Sequence, residues 1–555
     1  MIPERREADG EPRWPRFAAP LAVAAFALAI AFTGLGRTSL WDDDEGVNAE
    51  CTREMMEAGT WIIPTFNWDL RTAKPILLYW IMRGSFGLFG VGEFGARFPS
   101  AIAFVLTSLV VYDLARRMFG DRWLAAIAGF IAASSLQLVI LGHAATTDAL
   151  LIAFTVLYIR SFWIGTQQPG PGWMIPCAFW SALMMLTKGP AVGLILPSGA
   201  IGLTLLWNGE LRRLLHRRMI GAVAVWSLVA LPWYILVGTE TKGEWLKAFF
   251  LNENLARASE PKERHGGIPV LYEFVCIALL FAPWSAFLYV SMRSAIRTAL
   301  VKNGSAERLL LGWMAVYVVA FSVAATKLPH YIAPVYPALA IVVARFLAGW
   351  QAGRETVAIG WLRAAAIGFA LTGLATVAVC VIGSGATALP IKNQRVFPAL
   401  SAYWWIGLLP ISAAAAMEWS LQRDLRRTYV IAALAGALGF ALTLAAFVPQ
   451  ALEERKAIEV LVERSGARDL DREVRIASYD YPYPSLTFYV ARRVERLADG
   501  DAAAEFLAFP IPSYLFVTEE KWECEVKPKV RRPVRILAER YDYQRHQTIL
   551  VVGGG

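Results

Sequence analysis

Residues 17–50, "FAAPLAVAAFALAIAFTGLGRTSLWDDDEGVNAE", join a mostly apolar block directly to three aspartates and a glutamate. A helix that crosses the hydrocarbon core of a bilayer needs about 20 apolar residues, and residues 17–36 supply them. The acids that follow belong at the membrane surface, because charged groups are costly inside hydrocarbon. This stretch predicts a first transmembrane helix that ends in an acidic outer loop.

The rest of the chain repeats the apolar pattern. Of its 555 residues, 56% are hydrophobic, and the apolar residues fall in recurring blocks. These blocks are roughly 18 to 25 residues long, the length of a membrane-spanning helix. The formal net charge of +9 would suit a nucleic-acid partner, but Lys and Arg lie mainly in short loops between the blocks. The composition therefore predicts a multi-pass protein surrounded by membrane lipids, with no nucleic-acid partner.

Four loops are rich in Lys and Arg, and the positive-inside rule places such loops in the cytoplasm. They are "ARRMFGDR" (115–122), "NGELRRLLHRR" (208–218), "SMRSAIRTALVKNGSAER" (291–308) and "EWSLQRDLRR" (418–427). With a cytoplasmic N-terminus, this arrangement requires about thirteen helices, and the odd number sends the C-terminal tail outside. The predicted spans are 17–36, 97–114, 123–142, 147–165, 173–187, 190–207, 219–237, 270–290, 309–325, 330–347, 360–384, 402–417 and 429–448.

One apolar stretch, "PILLYWIMRGSFGLFG" (75–90), is too short for a comfortable span and carries Arg83 midway. If it crossed the membrane, several basic loops would face outward. A helix lying at the interface fits better. Together with an amphipathic helix over 50–59, it predicts a platform of juxtamembrane helices at about 37–96.

The composition changes near residue 450. A helical pattern over 453–466 precedes "VRIASYD", "YLFVTEE", "VRILAERYDY" and "TILVV", which alternate or run apolar as strands do. The sequence thus predicts a membrane domain over 1–449 and a small soluble α/β domain over 450–555. The predicted topology places this soluble domain on the outer side of the membrane, which is the periplasm if the membrane is a bacterial inner membrane.

Ionisable residues gather in the loops predicted to face outward. A phosphate needs fixed positive charge, whereas an acceptor hydroxyl needs a carboxylate to align it and take its proton. The pattern therefore favours group transfer from a membrane-anchored phosphate leaving group. A solvated acidic loop with snorkelling lysines is the alternative. The candidate residues are the acids Asp44, Glu45 and Asp148 and the bases Lys74, Lys188, Arg257 and Lys327.

The same residues carry a family resemblance. The loop "DDDEGVNAECTREMMEAGTWIIPTFNWDLRTAKPILLYW" (42–80) resembles the lipid A aminoarabinose transferases and, more distantly, the protein O-mannosyltransferases. Both belong to the GT-C superfamily of integral-membrane glycosyltransferases. Later motifs agree in order over about residues 37–350: "RFPSA", "TTDALLIAF", "MLTKGP", "ENLAR", "FAPW" and "TKLPHYIAPVYPALA".

The resemblance implies a polyprenyl-phosphate sugar donor and an acceptor presented at the outer face. Asp44 matches the catalytic aspartate of the family, and Asp148 matches a second polar position. Lys74, Arg257 and Tyr331 match positions that hold the lipid phosphate. Glu45 is expected to orient its catalytic neighbour.

The acids before Asp44 have a simpler interpretation. Asp42 and Asp43 lie nearest the first span and are expected to be solvated acids at the entry of a helix, where the helix dipole favours negative charge.

The chain departs from the family pattern at Ala73 and Asn254, where those enzymes usually have an acid and a histidine. No metal ligands are therefore assigned and no cofactor is predicted, with a divalent metal left open. The predicted function is transfer of a sugar to lipid A or another envelope glycolipid. Transfer to protein or to another glycan is the runner-up, and a lipid-linked sugar flippase is the alternative from another class.

Overall fold

The computed structural model is mainly helical, with one small mixed sheet near the C-terminus. The main helical bundle contains long apolar helices that run back and forth. Its helices cover Ala18–Phe32, Glu93–Phe119, Arg122–Ser134, Leu136–Gly142, Asp148–Thr166, Met174–Lys188, Leu196–Trp207, Arg218–Glu240, Leu271–Leu280, Leu288–Ala299, Ser305–Val323, Tyr336–Gln351, Ile359–Gly383, Leu408–Gln422 and Arg426–Glu453. The structure describes residues 17–42, 44–168, 170–256, 271–301, 304–387, 396–454, 456–469, 473–481, 483–542 and 546–554.

By length and composition, seven helices in the described ranges can cross a membrane, or up to nine if each of two bent pairs is one span. The bends measure 62° between Arg122–Ser134 and Leu136–Gly142, and 115° between Leu271–Leu280 and Trp284–Ala299. Each predicted span overlaps a helix of the bundle. The multi-pass α-helical fold class is confirmed, whereas the count of thirteen crossings stays a prediction.

Small residues allow the helices of the bundle to pack closely. A Cβ added to Gly129 would lie 2.8 Å from Val23 Cγ1 and 3.3 Å from the Ser108 carbonyl oxygen. Those neighbours belong to the helices Ala18–Phe32 and Glu93–Phe119. The first helix is thereby fixed against two others.

The platform contains the helix Asp44–Glu57, a short hairpin of β1 (Thr65–Phe66) and β2 (Asp69–Leu70), and the helix Leu77–Phe89. The first of these helices begins six residues earlier than the amphipathic pattern predicted, so Asp44 and Glu45 lie in its first turn. The last matches the predicted interfacial helix. Its Arg83 is held within the platform, because it donates to the Thr60 carbonyl (2.6 Å) and lies 3.8 Å from the centre of the Trp61 ring.

Two antiparallel helices bring opposite charges to the same end of the bundle. The helix Asp148–Thr166 begins with an acid, which suits the positive end of the helix dipole. The neighbouring helix Met174–Lys188 ends with a lysine, and Gly189 follows with a φ of +102°, a left-handed conformation that favours glycine. The residues that begin one helix and end the next therefore place Asp148 beside Lys188.

We define the C-terminal sheet domain as the described residues from Lys456 onward. Its strands are β3 (Arg475–Tyr479), β4 (Glu495–Arg496), β5 (Ser513–Thr518), β6 (Val534–Asp542) and β7 (Gln547–Gly554). They form a five-stranded sheet in the order β4-β3-β5-β7-β6. The central β3–β5 pair is parallel, and β7 runs antiparallel to β5 and β6. The four predicted strands are confirmed, and β4 was missed because it has only two residues. The longer helices of this domain are Ile458–Ser465, Pro484–Val490 and Gly500–Ala508.

Both faces of this sheet are covered. Leu515 and Val517 pack in a separate core with Phe506 of the helix Gly500–Ala508. Phe516, on the opposite face of β5, joins the large core that continues into the platform and the bundle. The α/β character expected of the domain is confirmed. The helix Arg426–Glu453 continues past the predicted boundary at residue 449, and the division into two domains stays a prediction.

The topology can be tested with the native cysteines. Cys524 is exposed in the C-terminal sheet domain, and the other four cysteines are buried. We expect a membrane-impermeant maleimide to label Cys524 in intact spheroplasts, because this domain is predicted to lie outside. A Cys524→Ser, Arg217→Cys variant should be labelled only after permeabilisation, since loop 208–218 is predicted to be cytoplasmic. Labelling of Cys524 only after permeabilisation contradicts the predicted orientation.

Candidate active site

A buried ion pair joins the first outer loop to the bundle. Arg97 donates from Nε to Glu45 Oε1 (2.9 Å) and from a terminal nitrogen to Glu45 Oε2 (2.7 Å). Each residue is 2% exposed. The two-point geometry is the strong form of an arginine–carboxylate contact, because two parallel N–H donors match two oxygens.

Arg97 and Glu45 also make hydrogen bonds to the backbone. Arg97 donates to the carbonyls of Leu35 (3.1 Å), Thr38 (2.7 Å) and Ser39 (2.9 Å). Glu45 accepts from the backbone N–H groups of Trp41 (2.8 Å) and Ala145 (2.7 Å). This network ties the loop after the first helix to a second loop of the bundle.

These contacts determine the electrostatic environment of Glu45. Burial acts to raise the pKa of Glu45, but the charge and hydrogen bonds of Arg97, with two backbone donors, hold it below its ordinary value. The ionised pair therefore stabilises the fold above the ordinary carboxyl pKa, and this contribution is lost as the pH falls through the folded pKa. The oxygens of Glu45 already hold Arg97 and two backbone donors, which suits the orienting role expected of this residue, and its place in the catalytic set stays a prediction. Its environment is that of a structural anchor.

Asp44, the next residue toward the N-terminus, has a different environment. It is the first residue of the helix Asp44–Glu57, and its side chain is exposed. It interacts electrostatically with Arg71 and with His330. The predicted catalytic carboxylate is therefore exposed and lies near Arg71 and His330, whereas Glu45 is buried against Arg97.

A second ion pair lies in the same area. Lys188 donates to Asp148 Oδ1, and the two side chains are 12% and 8% exposed. The Lys188 Nζ atom also lies 5.2 Å from the centre of the Tyr331 ring. Lys74, which is half-buried, interacts electrostatically with Asp148. Five predicted site residues are thus brought together: Asp44, Lys74, Asp148, Lys188 and Tyr331.

Two members of this group were missed as site residues by the sequence analysis. His330 packs edge-on against Tyr331 (5.0 Å between ring centres) and interacts with Asp44, Lys74, Asp148 and Lys188. Burial, reinforced by the two lysines, lowers the pKa of His330 despite the opposing carboxylates. Its place in the "TKLPHYIAP" motif was a signal that could have identified it.

The other missed residue is Arg71. It interacts electrostatically with Asp44, and its Nε atom is buried with no hydrogen-bond partner among the described residues. Trp245 donates to its carbonyl oxygen (2.8 Å), which fixes the backbone at that point. Arg71 is three residues before Lys74, so the motif "RTAKP" supplies two cations to one region.

Lys327 contacts the backbone in this structure, and the expectation that it binds phosphate stays a prediction. Its Nζ atom donates to the carbonyls of Phe321 and Ser322 (2.7 Å to the latter), in the last turn of the helix Ser305–Val323. The residue is 4% exposed. A lysine in this position satisfies carbonyls that have no partner within the helix and complements the negative end of the dipole. Lys327 is a helix cap.

Asp42 is also not the solvated acid that its position indicated. Its Oδ1 atom accepts from the backbone N–H of Ser485 (3.0 Å) and from the Ser485 hydroxyl (2.5 Å). Ser485 belongs to the C-terminal sheet domain. The reason is tertiary, because a distant segment covers this end of the acidic run. Asp43 and Arg257 lie outside the described residues.

The position of Asn254 bears on metal binding. Its Nδ2 atom donates to the Phe249 carbonyl (2.8 Å), and its Oδ1 atom would lie 3.3 Å from a Cβ on Gly189. The position at which the resemblance led us to expect a histidine is therefore beside Gly189. In the described ranges, no three His, Cys, Asp or Glu side chains are grouped as metal ligands.

Comparison with known proteins gives a consistent result. The sequence profile of the dolichyl-phosphate-mannose-protein mannosyltransferase family matches residues 73–235. An undecaprenyl phosphate-alpha-4-amino-4-deoxy-L-arabinose arabinosyl transferase of Edwardsiella ictaluri is 29% identical over 454 residues, which cover 79% of each chain. A transferase of the same name from Enterobacter sp. is 30% identical over 338 residues, covering 58% of each chain.

A solved structure supports the fold. The crystal structure of ArnT from Cupriavidus metallidurans bound to undecaprenyl phosphate matches with a TM-score of 0.78 at 22% identity. The match covers 97% of this chain and 98% of that chain. At this level of identity, the likeness establishes the fold.

In its fold and in its relatives, the chain resembles the integral-membrane glycosyltransferases of the GT-C type. Within this class, the chain is similar to the aminoarabinose transferases, and the resemblance expected from its motifs is confirmed.

The structural role of the buried pair predicts a large loss of stability in Arg97→Met. Removing the guanidinium leaves the Glu45 carboxylate buried without its partner, which typically costs about 3–5 kcal/mol. Arg117→Met is the matched control, because Arg117 lies on the same helix in a pair with Asp113 whose side chains are 45% and 33% exposed. Such a pair contributes about 1 kcal/mol or less. Equal melting temperatures for the two purified variants would contradict the assignment.

Proposed function

We propose that the protein transfers a sugar from a polyprenyl-phosphate-linked donor to lipid A or another cell-envelope glycolipid. The reaction takes place at the periplasmic face of the inner membrane. The observation that carries the proposal is the exposed carboxylate of Asp44 in electrostatic contact with a group that contains Arg71 and His330. A carboxylate suits an acceptor hydroxyl, and neighbouring cations suit a departing phosphate.

In the proposed reaction, Asp44 acts on the acceptor and the basic side chains hold the donor phosphate. The acceptor hydroxyl oxygen attacks the anomeric carbon of the donor sugar, and Asp44 takes the hydroxyl proton. The bond between that carbon and the phosphate oxygen breaks, and its electron pair leaves with the polyprenyl phosphate. Asp44 gives the proton to solvent after the transfer.

The phosphate is held by the basic side of the group. Lys74 and Lys188 supply positive charge, and the Tyr331 hydroxyl supplies a donor. Arg257 is included because of its position in the "ENLAR" motif. Asp148 acts through Lys188: its carboxylate holds the ammonium group near the Tyr331 ring, where Lys188 would otherwise be mobile. Asp148 is therefore a positioning residue in this scheme.

The acceptor has a second candidate. The profile match over 73–235 belongs to a family named for protein mannosylation, which supports protein as an alternative acceptor. The relatives that span more of the chain carry the name of the aminoarabinose transferases and favour a lipid acceptor. Mass spectrometry of lipid A, glycans and membrane proteins from cells with and without the gene distinguishes these outcomes. A sugar-sized mass difference confined to membrane proteins would contradict the lipid acceptor.

Asp44→Asn should nearly abolish transfer. The amide keeps the shape of the side chain but cannot accept the proton, and loss of a general base typically lowers kcat about a hundred- to ten-thousandfold. Donor affinity should stay within about twofold of wild type, because Asp44 faces the acceptor in this scheme. The readout is kcat of purified protein, with binding of the donor measured separately.

Asp69→Asn is the matched control for this variant. Asp69 is an acid of the same platform whose side chain is 77% exposed, and its nearest cation, Arg493, lies 3.9 Å away. We expect its kcat to equal that of wild type. If Asp44→Asn retains a similar rate, Asp44 is not the base.

Lys74→Ala should weaken donor binding rather than folding. A charge-assisted hydrogen bond contributes about 1.5–3 kcal/mol, or about ten- to a hundredfold in affinity. Lys247→Ala is the control, because this lysine is exposed in the helix Glu244–Lys247, in a segment predicted to face outward. Donor affinity is measured by titration of the lipid-linked sugar. Equal affinities in the two variants would remove Lys74 from the phosphate site.

A further inference from the structure

The C-terminal sheet domain contacts the segment that carries Asp44. We call the described residues 38–42 and 44–46 the catalytic turn. At its centre, Asp42 Oδ1 accepts two hydrogen bonds from Ser485, one from the backbone N–H (3.0 Å) and one from the hydroxyl. Ser485 lies in the first turn of the helix Pro484–Val490, so Asp42 satisfies an N–H group that has no partner within that helix.

The same helix reaches the catalytic turn at a second point. The backbone N–H of Leu40 donates to the Tyr489 hydroxyl oxygen (2.7 Å), and that hydroxyl donates to Glu93 Oε1 (2.9 Å). Glu93 begins the helix Glu93–Phe119 of the bundle. Tyr489 therefore connects the turn, the bundle and the C-terminal sheet domain through one oxygen atom.

The linker before the sheet adds a third contact. Lys456 Nζ donates to the Ser39 carbonyl (2.5 Å) and lies 4.0 Å from the centre of the Trp41 ring. Glu453 accepts from the Ser39 backbone N–H (3.1 Å). Both residues are close to the point where the last helix of the bundle leads into the C-terminal sheet domain.

The backbones also approach closely on the far side of Asp44. A Cβ added to Gly46 would lie 2.8 Å from both the nitrogen and the Cα atom of Ser485. Only glycine fits at this contact without displacing one of the two segments. Steric contact and hydrogen bonding thus act at the same residue of the C-terminal sheet domain.

We infer that the C-terminal sheet domain is a positioning element of the active site, and that Ser485 orients Asp44 through Asp42. The inference rests on the proposed function. Asp44 lies between two anchors: Asp42 is held by Ser485, and Glu45 is held by Arg97 from the bundle. The catalytic carboxylate therefore has its direction fixed from both sides, although its own side chain is exposed.

Ser485→Ala and Asp42→Ala test this role. A displacement of about 1 Å at a reacting group can lower a rate about a hundredfold, and partial release of the turn should lower kcat about ten- to a hundredfold. The KM for the donor should stay within about twofold of wild type, because the phosphate-binding side chains lie on other elements. Asp42→Asn keeps Oδ1 as an acceptor for both Ser485 donors and should restore most of the rate.

Asn67→Gly is the matched control. Asn67 exchanges two hydrogen bonds with the backbone of Val494 (2.9 and 2.8 Å), so it also joins the platform to the C-terminal sheet domain, but away from the catalytic turn. Its φ of +55° is one that glycine adopts freely. If docking of the domain alone mattered, this variant would lose as much rate as Ser485→Ala. We expect its kcat to be unchanged.

Hydrogen exchange provides a readout that does not depend on the reaction. Amides of the catalytic turn should exchange faster in Ser485→Ala than in wild type, with no change at the sheet strands. Wild-type protein that transfers no sugar overturns the proposed function. Wild-type transfer with unchanged kcat in Ser485→Ala and Asp42→Ala overturns the positioning role, as does an equal loss of kcat in Asn67→Gly.

Discussion

The buried contact between Glu45 and Arg97 is the constraint on which the rest of the site depends. An ion pair removed from water gains little net free energy, because desolvation offsets much of the attraction. Its value here is geometric. Arg97 binds one carboxylate and three loop carbonyls at once, so the chain has a single way to leave the first helix and enter the platform. The position of Asp44 follows from that path.

The charged residues at this end of the protein divide into two kinds. Lys327 caps a helix and Glu45 anchors a loop, and their partners are backbone groups or a buried arginine. The Asp148–Lys188 pair is intermediate, since it is nearly buried yet borders Tyr331. Asp44 is exposed, which is what a group that must meet a substrate requires. Burial and hydrogen-bond partners, rather than charge, therefore distinguish the charged residues with structural roles from the candidate catalytic residue.

The sequence predicted the fold well because the signals for it are local. Apolar block length located the helices, and alternation located the strands of the C-terminal sheet domain. The roles of neighbouring acids could not be predicted in this way. Asp42, Asp44 and Glu45 stand in one acidic run, yet their environments differ because Asp42 meets a residue 443 positions away and Glu45 one 52 positions away. The same holds for lysine, since Lys188 meets an acid 40 positions away and Lys327 meets carbonyls in the last turn of the helix that precedes it.

In the proposed reaction, the group of side chains around Asp44 breaks the bond between a sugar and a polyprenyl phosphate. The most direct measurement places purified protein in liposomes that contain the lipid-linked sugar and an acceptor glycolipid, and quantifies all three lipids by mass spectrometry. One polyprenyl phosphate should be released for each sugar that appears on the acceptor, and release should be nearly abolished in Asp44→Asn. Movement of intact donor across the bilayer, without release of polyprenyl phosphate, would contradict the proposed reaction and identify a flippase.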